Sequence, residues 1–320
     1  MQPKRIYVAG HTGLVGSALI NVLKERAQSD LVIRTHAELD LRDAAAVESF
    51  FSTERPDCVI LAAARVGGIM ANSRYPVEFL LDNLAIATNV IAACHRHDVE
   101  RLIVFGSNCA YPRETSQPIR ETALLTGPFE PTNAAFATAK IAAIELCRGY
   151  NQQFGRRYLV AMPTGLYGPG DNYDPQNSHV AAAMIRRFHE AKAAQLPRVE
   201  IWGSGRPLRE LLYNEDCARA GTYLAYLPVE KLDALLREGF YPLLNIGGGE
   251  EVSILELAKR IAAVVGYTGE IATDPAKPDG MPRKLLDGGR LAALGWHPQV
   301  PLDEGLKRAY ADFLARHCHG

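Results

Sequence analysis

Residues Arg5-Ile6-Tyr7-Val8-Ala9 form a short apolar run with β-forming side chains, and the chain turns at once into Gly10-His11-Thr12-Gly13-Leu14-Val15-Gly16. Leu14, Val15, Ala18, Leu19, Val22 and Leu23 then recur at helical spacing. The order is strand, glycine turn, helix. Glycines at 10, 13 and 16 allow a tight turn and let backbone N–H groups approach a pyrophosphate at the helix N-terminus. Three glycines in a turn are common, but between a first strand and a helix they point to dinucleotide binding.

The rest of the first half repeats the alternation. Asp30–Arg34, Cys58–Ala62, Arg101–Phe105 and Tyr158–Met162 read as buried strands separated by helical stretches. Such alternation predicts an α/β fold with a doubly wound parallel sheet of Rossmann type. After about residue 166 the pattern loosens. Tyr167 to Asn172 reads as loop, Val180 to Lys192 as a helix and Leu243 to Gly247 as one more strand. Ser253-Ile254-Leu255-Glu256 is a capping box. The expected organisation is a dinucleotide domain over 1–165, with the chain returning to it at about 212–250. A smaller α/β substrate-binding lobe takes most of 166–320.

With 35 Lys+Arg against 36 Asp+Glu, the net charge is −1, so no overall field favours nucleic acid or an anionic membrane. An anionic ligand must meet a local cluster of cations. No signal-type leader and no segment approaching the ~20 apolar residues of a membrane span is apparent, which makes the cytoplasm the expected location. The six cysteines are scattered without a CxxC pair and read as free thiols, and no metal site is expected.

The end of the second strand bears on the cofactor. An acid there suits the ribose hydroxyls of NAD, whereas cations suit the 2′-phosphate of NADP. The strand ends Arg34-Thr35-His36, with Glu38 and Asp40 slightly later. Arg34 and His36 favour NADP, the alternative being a solvated arginine at a strand end. Farther on, Phe136-Ala137-Thr138-Ala139-Lys140 places a lysine four residues after an aromatic, on one face of a helix. Active sites built on tyrosine and lysine use this spacing, but the ring here has no hydroxyl.

These motifs, together with Ser107-Asn108-Cys109-Ala110-Tyr111-Pro112, Pro131-Thr132-Asn133, Pro163-Thr164-Gly165-Leu166-Tyr167-Gly168-Pro169 and Lys277 to Lys284, resemble the extended short-chain dehydrogenase/reductase family. The likeness spans essentially the whole chain and is nearest to the NADPH-dependent epimerase/reductases of GDP-linked 4-keto sugars. It implies a homodimeric oxidoreductase that epimerises such a sugar at C3 and C5 and reduces it at C4. Ser107 is then expected to hydrogen-bond the C4 oxygen, Cys109 and His179 to act as base and acid, and Lys140 to hold the nicotinamide ribose. The cofactor would meet Gly10, Thr12, Gly13, Leu14, Val15, Gly16, Arg34, His36, Asp40, Leu41, Phe105, Gly106, Pro163, Thr164, Leu166 and His179. The GDP-sugar would meet Asn133, Arg187, Trp202, Arg209, Asp279 and Lys284.

Phe136 departs from the family's tyrosine, which implies an impaired reduction. It fits either a substitution introduced to delete the proton donor or a natural chain that has lost reduction or uses another donor. Ala134, Ala135 and Gly165 also depart. They leave open a dideoxy hexose or a heptose as the sugar. A catalytically silent NADP-binding protein is a further alternative, but it would need the pair Cys109 and His179 lost too, and both are present.

Overall fold

Apolar residues recur along the first half in short runs that cannot stay exposed, and each run becomes a strand of one sheet. The computed structural model describes residues 3–26, 30–175, 178–277, 279 and 281–317, so that Pro278, Gly280 and Cys318 lie outside the described residues. The chain forms β1 (Arg5–Ala9), α1 (Leu14–Arg26), β2 (Asp30–Val32), α2 (Ala44–Glu54), β3 (Cys58–Leu61), α3 (Ile69–Arg74) and α4 (Pro76–Arg96). It continues with β4 (Arg101–Phe105), α5 (Ala134–Phe154), β5 (Arg157–Pro163), β6 (Gly165–Tyr167), α6 (Val180–Ala193), β7 (Arg198–Trp202) and β8 (Leu208–Tyr213). The last elements are α7 (Asn214–Ala225), α8 (Val229–Glu238), β9 (Leu243–Ile246), β10 (Glu250–Ser253), α9 (Ile254–Val265), β11 (Glu270–Asp274), β12 (Arg283–Lys284), α10 (Gly289–Ala293) and α11 (Leu302–His317).

Six strands pair in the order β2-β1-β3-β4-β5-β9, every neighbour parallel. Successive side chains of a strand face opposite sides, and here both sides are buried. Tyr7, Val59, Leu61 and Val104 pack with α2, α4 and α5, while Ile6, Val8, Ile60 and Ile103 pack with α1, α7 and α8. The sheet is doubly wound. Strand order reverses between β1 and β3, which opens a crevice at the carboxyl ends of the strands.

The sixth strand comes from the second half. β9 is fully buried beside β5, and its Asn245 ties it to the first half. Asn245 Oδ1 accepts from Tyr111 Oη at 2.6 Å, its Nδ2 donates to the Ile119 carbonyl, and its N–H donates to Glu121 Oε1. The remaining strands build the smaller lobe. β8 pairs with β6, β10 and β12, and β7 pairs with β11, over a core from α6, α9 and α11.

Three local readings change. β2 ends at Val32 rather than Arg34, because Glu38 accepts from both the N–H and the hydroxyl of Thr35 and bends the chain into a turn. Part of the segment read as loop from Tyr167 is ordered instead, since Gly165–Tyr167 is β6, a strand too short to show alternation. α4 is long and apolar enough to cross a membrane by length and composition, contrary to the reading that no segment approached this. Its buried Phe79, Val90, Ile91 and Ala93 pack into the core between the sheet and α5, which accounts for that composition.

Candidate active site

The glycine turn is held by backbone geometry. Gly10 has φ +85°, and a Cβ there would lie 2.6 Å from the Ala63 nitrogen. A Cβ on Gly16 would lie 2.0 Å from the Gly10 carbonyl oxygen, so the first turn of α1 rests directly on the loop. Beside it, at the carboxyl ends of the strands, opens a cleft of about 1050 Å³. Every residue assigned above to chemistry, cofactor or GDP-sugar lines it except Asp279. A cradle that any Cβ would fill, next to a cleft of this size, fits a dinucleotide.

At the far end of the glycine loop the charges are paired. Arg34 ion-pairs with Glu54 and lies over the Phe50 ring at 5.6 Å. Exposed His36 sits 3.9 Å from Asp40 Oδ1, and the Arg42 guanidinium beside Asp40 pulls that carboxyl down to about 2. Arg42 and Arg65 share Asp82, at 3.4 and 2.8 Å. Both arginines line the cleft, as do Ala62 to Gly68, and none of them was expected from the sequence as a site residue. Their signal was a run of small residues around one arginine immediately after β3, where a doubly wound sheet places ligands.

The reaction centre is built on the ends of β4 and the start of α5. Ser107 caps a short 3₁₀ turn, its Oγ accepting from the Cys109 N–H at 3.3 Å. Asn133 Nδ2 donates to Cys109 Sγ at 3.2 Å, and Lys284 Nζ stands 3.9 Å from the same sulfur. Phe136, 7% exposed, packs with Ala71, Phe79 and Cys109. One turn later Lys140 Nζ lies 5.6 Å from the Phe136 ring centroid and donates to the Phe105 carbonyl at 2.9 Å. Burial pushes the Lys140 ammonium down to about 8, with the Cys109 thiol opposing. A donor, an ionisable sulfur and a cation therefore face one volume, which suits proton removal next to a carbonyl.

The opposite wall belongs to the second lobe. His179 is the N-cap residue of α6, with Nδ1 4.0 Å from Asp171 Oδ1. Arg187 donates to the Glu200 carbonyl at 2.9 Å and Arg209 to those of Leu208 and Met281 at 2.8 and 2.7 Å, which leaves donors on both guanidinium groups. Trp202 is 55% exposed, a large apolar face that water leaves uncovered, with Lys277 Nζ 5.7 Å from its ring. Asp279 lies just outside the cleft lining and accepts from Ser204 N and Oγ at 2.6 and 2.8 Å. Gly165 answers to packing, because a Cβ there would lie 2.8 Å from the Glu210 carbonyl oxygen.

The chain is similar to known proteins over nearly its whole length. GDP-L-fucose synthase of Escherichia coli is 49% identical over 317 residues, covering 98% of each chain. A solved GDP-6-OMe-4-keto-L-xylo-heptose reductase of Campylobacter jejuni superposes with a TM-score of 0.90 at 32% identity, covering 99% of both chains. An NADP-bound GDP-L-fucose synthetase of Naegleria fowleri does so with a TM-score of 0.88 at 28% identity, covering 100% of this chain and 97% of that one. The family model described as the NAD dependent epimerase/dehydratase family matches residues 6–233, and the chain belongs to that family.

Proposed function

We propose that the chain catalyses the NADPH-dependent 3,5-epimerisation and 4-reduction of GDP-4-keto-6-deoxy-D-mannose to GDP-L-fucose, with the reduction slowed by Phe136. The observation that carries this reading is the convergence of Ser107, Cys109, Lys140 and His179 on a cleft whose other end offers Arg187, Arg209 and Trp202. Full-length likeness to the Escherichia coli enzyme supports it.

Protons next to a ketone are acidic because the charge left behind moves onto the carbonyl oxygen, where a donor can hold it. The Cys109 thiolate takes the proton from C3 or C5, and Ser107 Oγ–H donates to the C4 oxygen as the enolate forms. The His179 imidazolium then delivers a proton to the opposite face of that carbon, which leaves thiol and neutral imidazole to be reset by solvent. NADPH, when bound, supplies the hydride for C4. Gly10, Gly13 and Gly16 hold its pyrophosphate, Lys140 its nicotinamide ribose, and Arg34 with His36 its 2′-phosphate. Arg187 and Arg209 meet the sugar nucleotide's diphosphate, and Trp202 stacks on its base.

Two measurements test these placements. Charge-assisted hydrogen bonds contribute roughly 1.5–3 kcal/mol each, so Arg209→Ala weakens GDP binding by at least about tenfold. Unchanged affinity in a titration places the diphosphate elsewhere. The unmodified protein binds NADPH more tightly than NADH, and the double variant Arg34→Ala/His36→Ala loses the preference. Equal affinity of the unmodified protein for both cofactors overturns that assignment.

A GDP-linked 4-keto heptose or dideoxy hexose is a second reading, supported by the likeness to the Campylobacter jejuni heptose reductase. Offering the hexose and the heptose side by side, with inversion and absorbance followed together, separates the two. We infer a homodimer through α4, whose Val77 and Leu81 are exposed one turn apart on one face. The five described cysteines are free thiols, which fits a reducing cytoplasm.

A further inference from the structure

Asp171 is a buried carboxylate that the mechanism above does not use. Its residue is 5% exposed, yet among the described residues Oδ2 has no hydrogen-bond partner. Oδ1 accepts from the Asn172 N–H at 2.7 Å and lies 4.0 Å from His179 Nδ1. A buried charge left half-satisfied costs free energy unless something compensates it. His179 lines the cleft and Asp171 does not, so the carboxylate sits behind the imidazole as seen from the sugar.

The location of His179 gives that carboxylate a task. As N-cap of the 14-residue α6, the imidazole stands at the positive end of a helix dipole, which disfavours its protonated form. An acid in this position needs a fixed negative charge beside it. We infer that Asp171 is a positioning residue for the reaction, holding the His179 imidazolium with its Nδ1–H toward the carboxylate and its Nε2–H toward the sugar. The inference rests on His179 being the acid proposed above.

The direction of the His179 shift agrees with the geometry. Asp171 raises it, and burial opposes. Tyr173, two residues on, feels the charges of Asp171, Asp312 and Arg316. Arg316 donates to the Asp171 carbonyl at 2.8 Å and pairs with Asp312 at 2.7 Å, so its charge is already matched. At 4.0 Å the two groups are close enough for an ion pair and too far apart for a hydrogen bond.

The test is an NMR titration of the His179 imidazole in the protein without ligands, assigned by its loss in His179→Gln. In Asp171→Asn, His179 titrates at least about one pH unit lower than in the unmodified protein. The high-pH limb of sugar inversion moves down with it, so inversion at about pH 8 falls by about tenfold or more. GDP affinity stays unchanged, which a merely structural loss would not leave intact. Identical titration and identical inversion profiles in the two proteins overturn the inference. If Asp171→Asn does not fold, the unmodified protein still decides, since a His179 titration below about 6.5 also overturns it. Should His179→Gln invert the sugar at the normal rate, the acid assignment fails instead, and the titration reports separately on the Asp171 contact.

Discussion

Phe136→Tyr raises the rate of NADPH oxidation with a GDP-linked 4-keto sugar by about 10²–10⁴-fold, the usual worth of a positioned acid. The phenyl ring already occupies its site, held by Ala71 and Phe79, so the added hydroxyl needs no rearrangement of the backbone. Lys140 Nζ, 5.6 Å from the ring centroid, stands where its charge favours release of the phenolic proton. In the proposed reaction, hydride arrival at C4 makes an alkoxide, and Phe136 offers it no hydroxyl. Epimerisation by the proposed mechanism leaves only a transient enolate on that oxygen, with Ser107 as its donor. Deuterium exchange at C3 and C5 therefore changes little in the variant. Rapid oxidation by the unmodified chain defeats this expectation and points to another proton source, with Cys109 or a water on Ser107 the first to examine.

Cys109→Ala has an effect of similar size on the other half of the reaction. On the proposed mechanism, removing the sulfur deletes the base for both carbons, so exchange and inversion at C3 and C5 each fall by about 10²–10⁴-fold. It also strands the Asn133 amide and the Lys284 ammonium, which now donate to Sγ or approach it. NADPH affinity serves as the control, because the glycine turn and Arg34 lie elsewhere in the cleft. Exchange that survives at the normal rate at both carbons removes Cys109 from the chemistry.

The sheet was legible because its signal is local. A strand that must pass Gly10 into α1 leaves little choice, and the apolar runs of β3, β4 and β5 are buried on both faces and read as continuous hydrophobic stretches. β6 was missed since three residues cannot show a period. The residues named by motif line one cleft, Asp279 excepted, whereas their environment could not be read from the sequence. Arg42 and Arg65 enter the cleft through a shared Asp82 that is distant in sequence. Asp171 looks in the sequence like any loop acid. Only burial, an orphaned oxygen and the neighbouring His179 distinguish it. The α4 composition shows the reverse failure, where a helix with one face packed in the core and Val77 and Leu81 exposed on another carries the residues of a membrane span.

The return of the chain to lay β9 against β5 sets the order in which the molecule can be made. Until residue 246 has left the ribosome, β5 is an open edge whose buried side chains and unpaired backbone invite other chains. The Tyr111 hydroxyl and the carbonyl of Ile119 wait equally long for Asn245. The first 246 of 320 residues must therefore emerge before the first half can close, and until then that edge stays open to other strands.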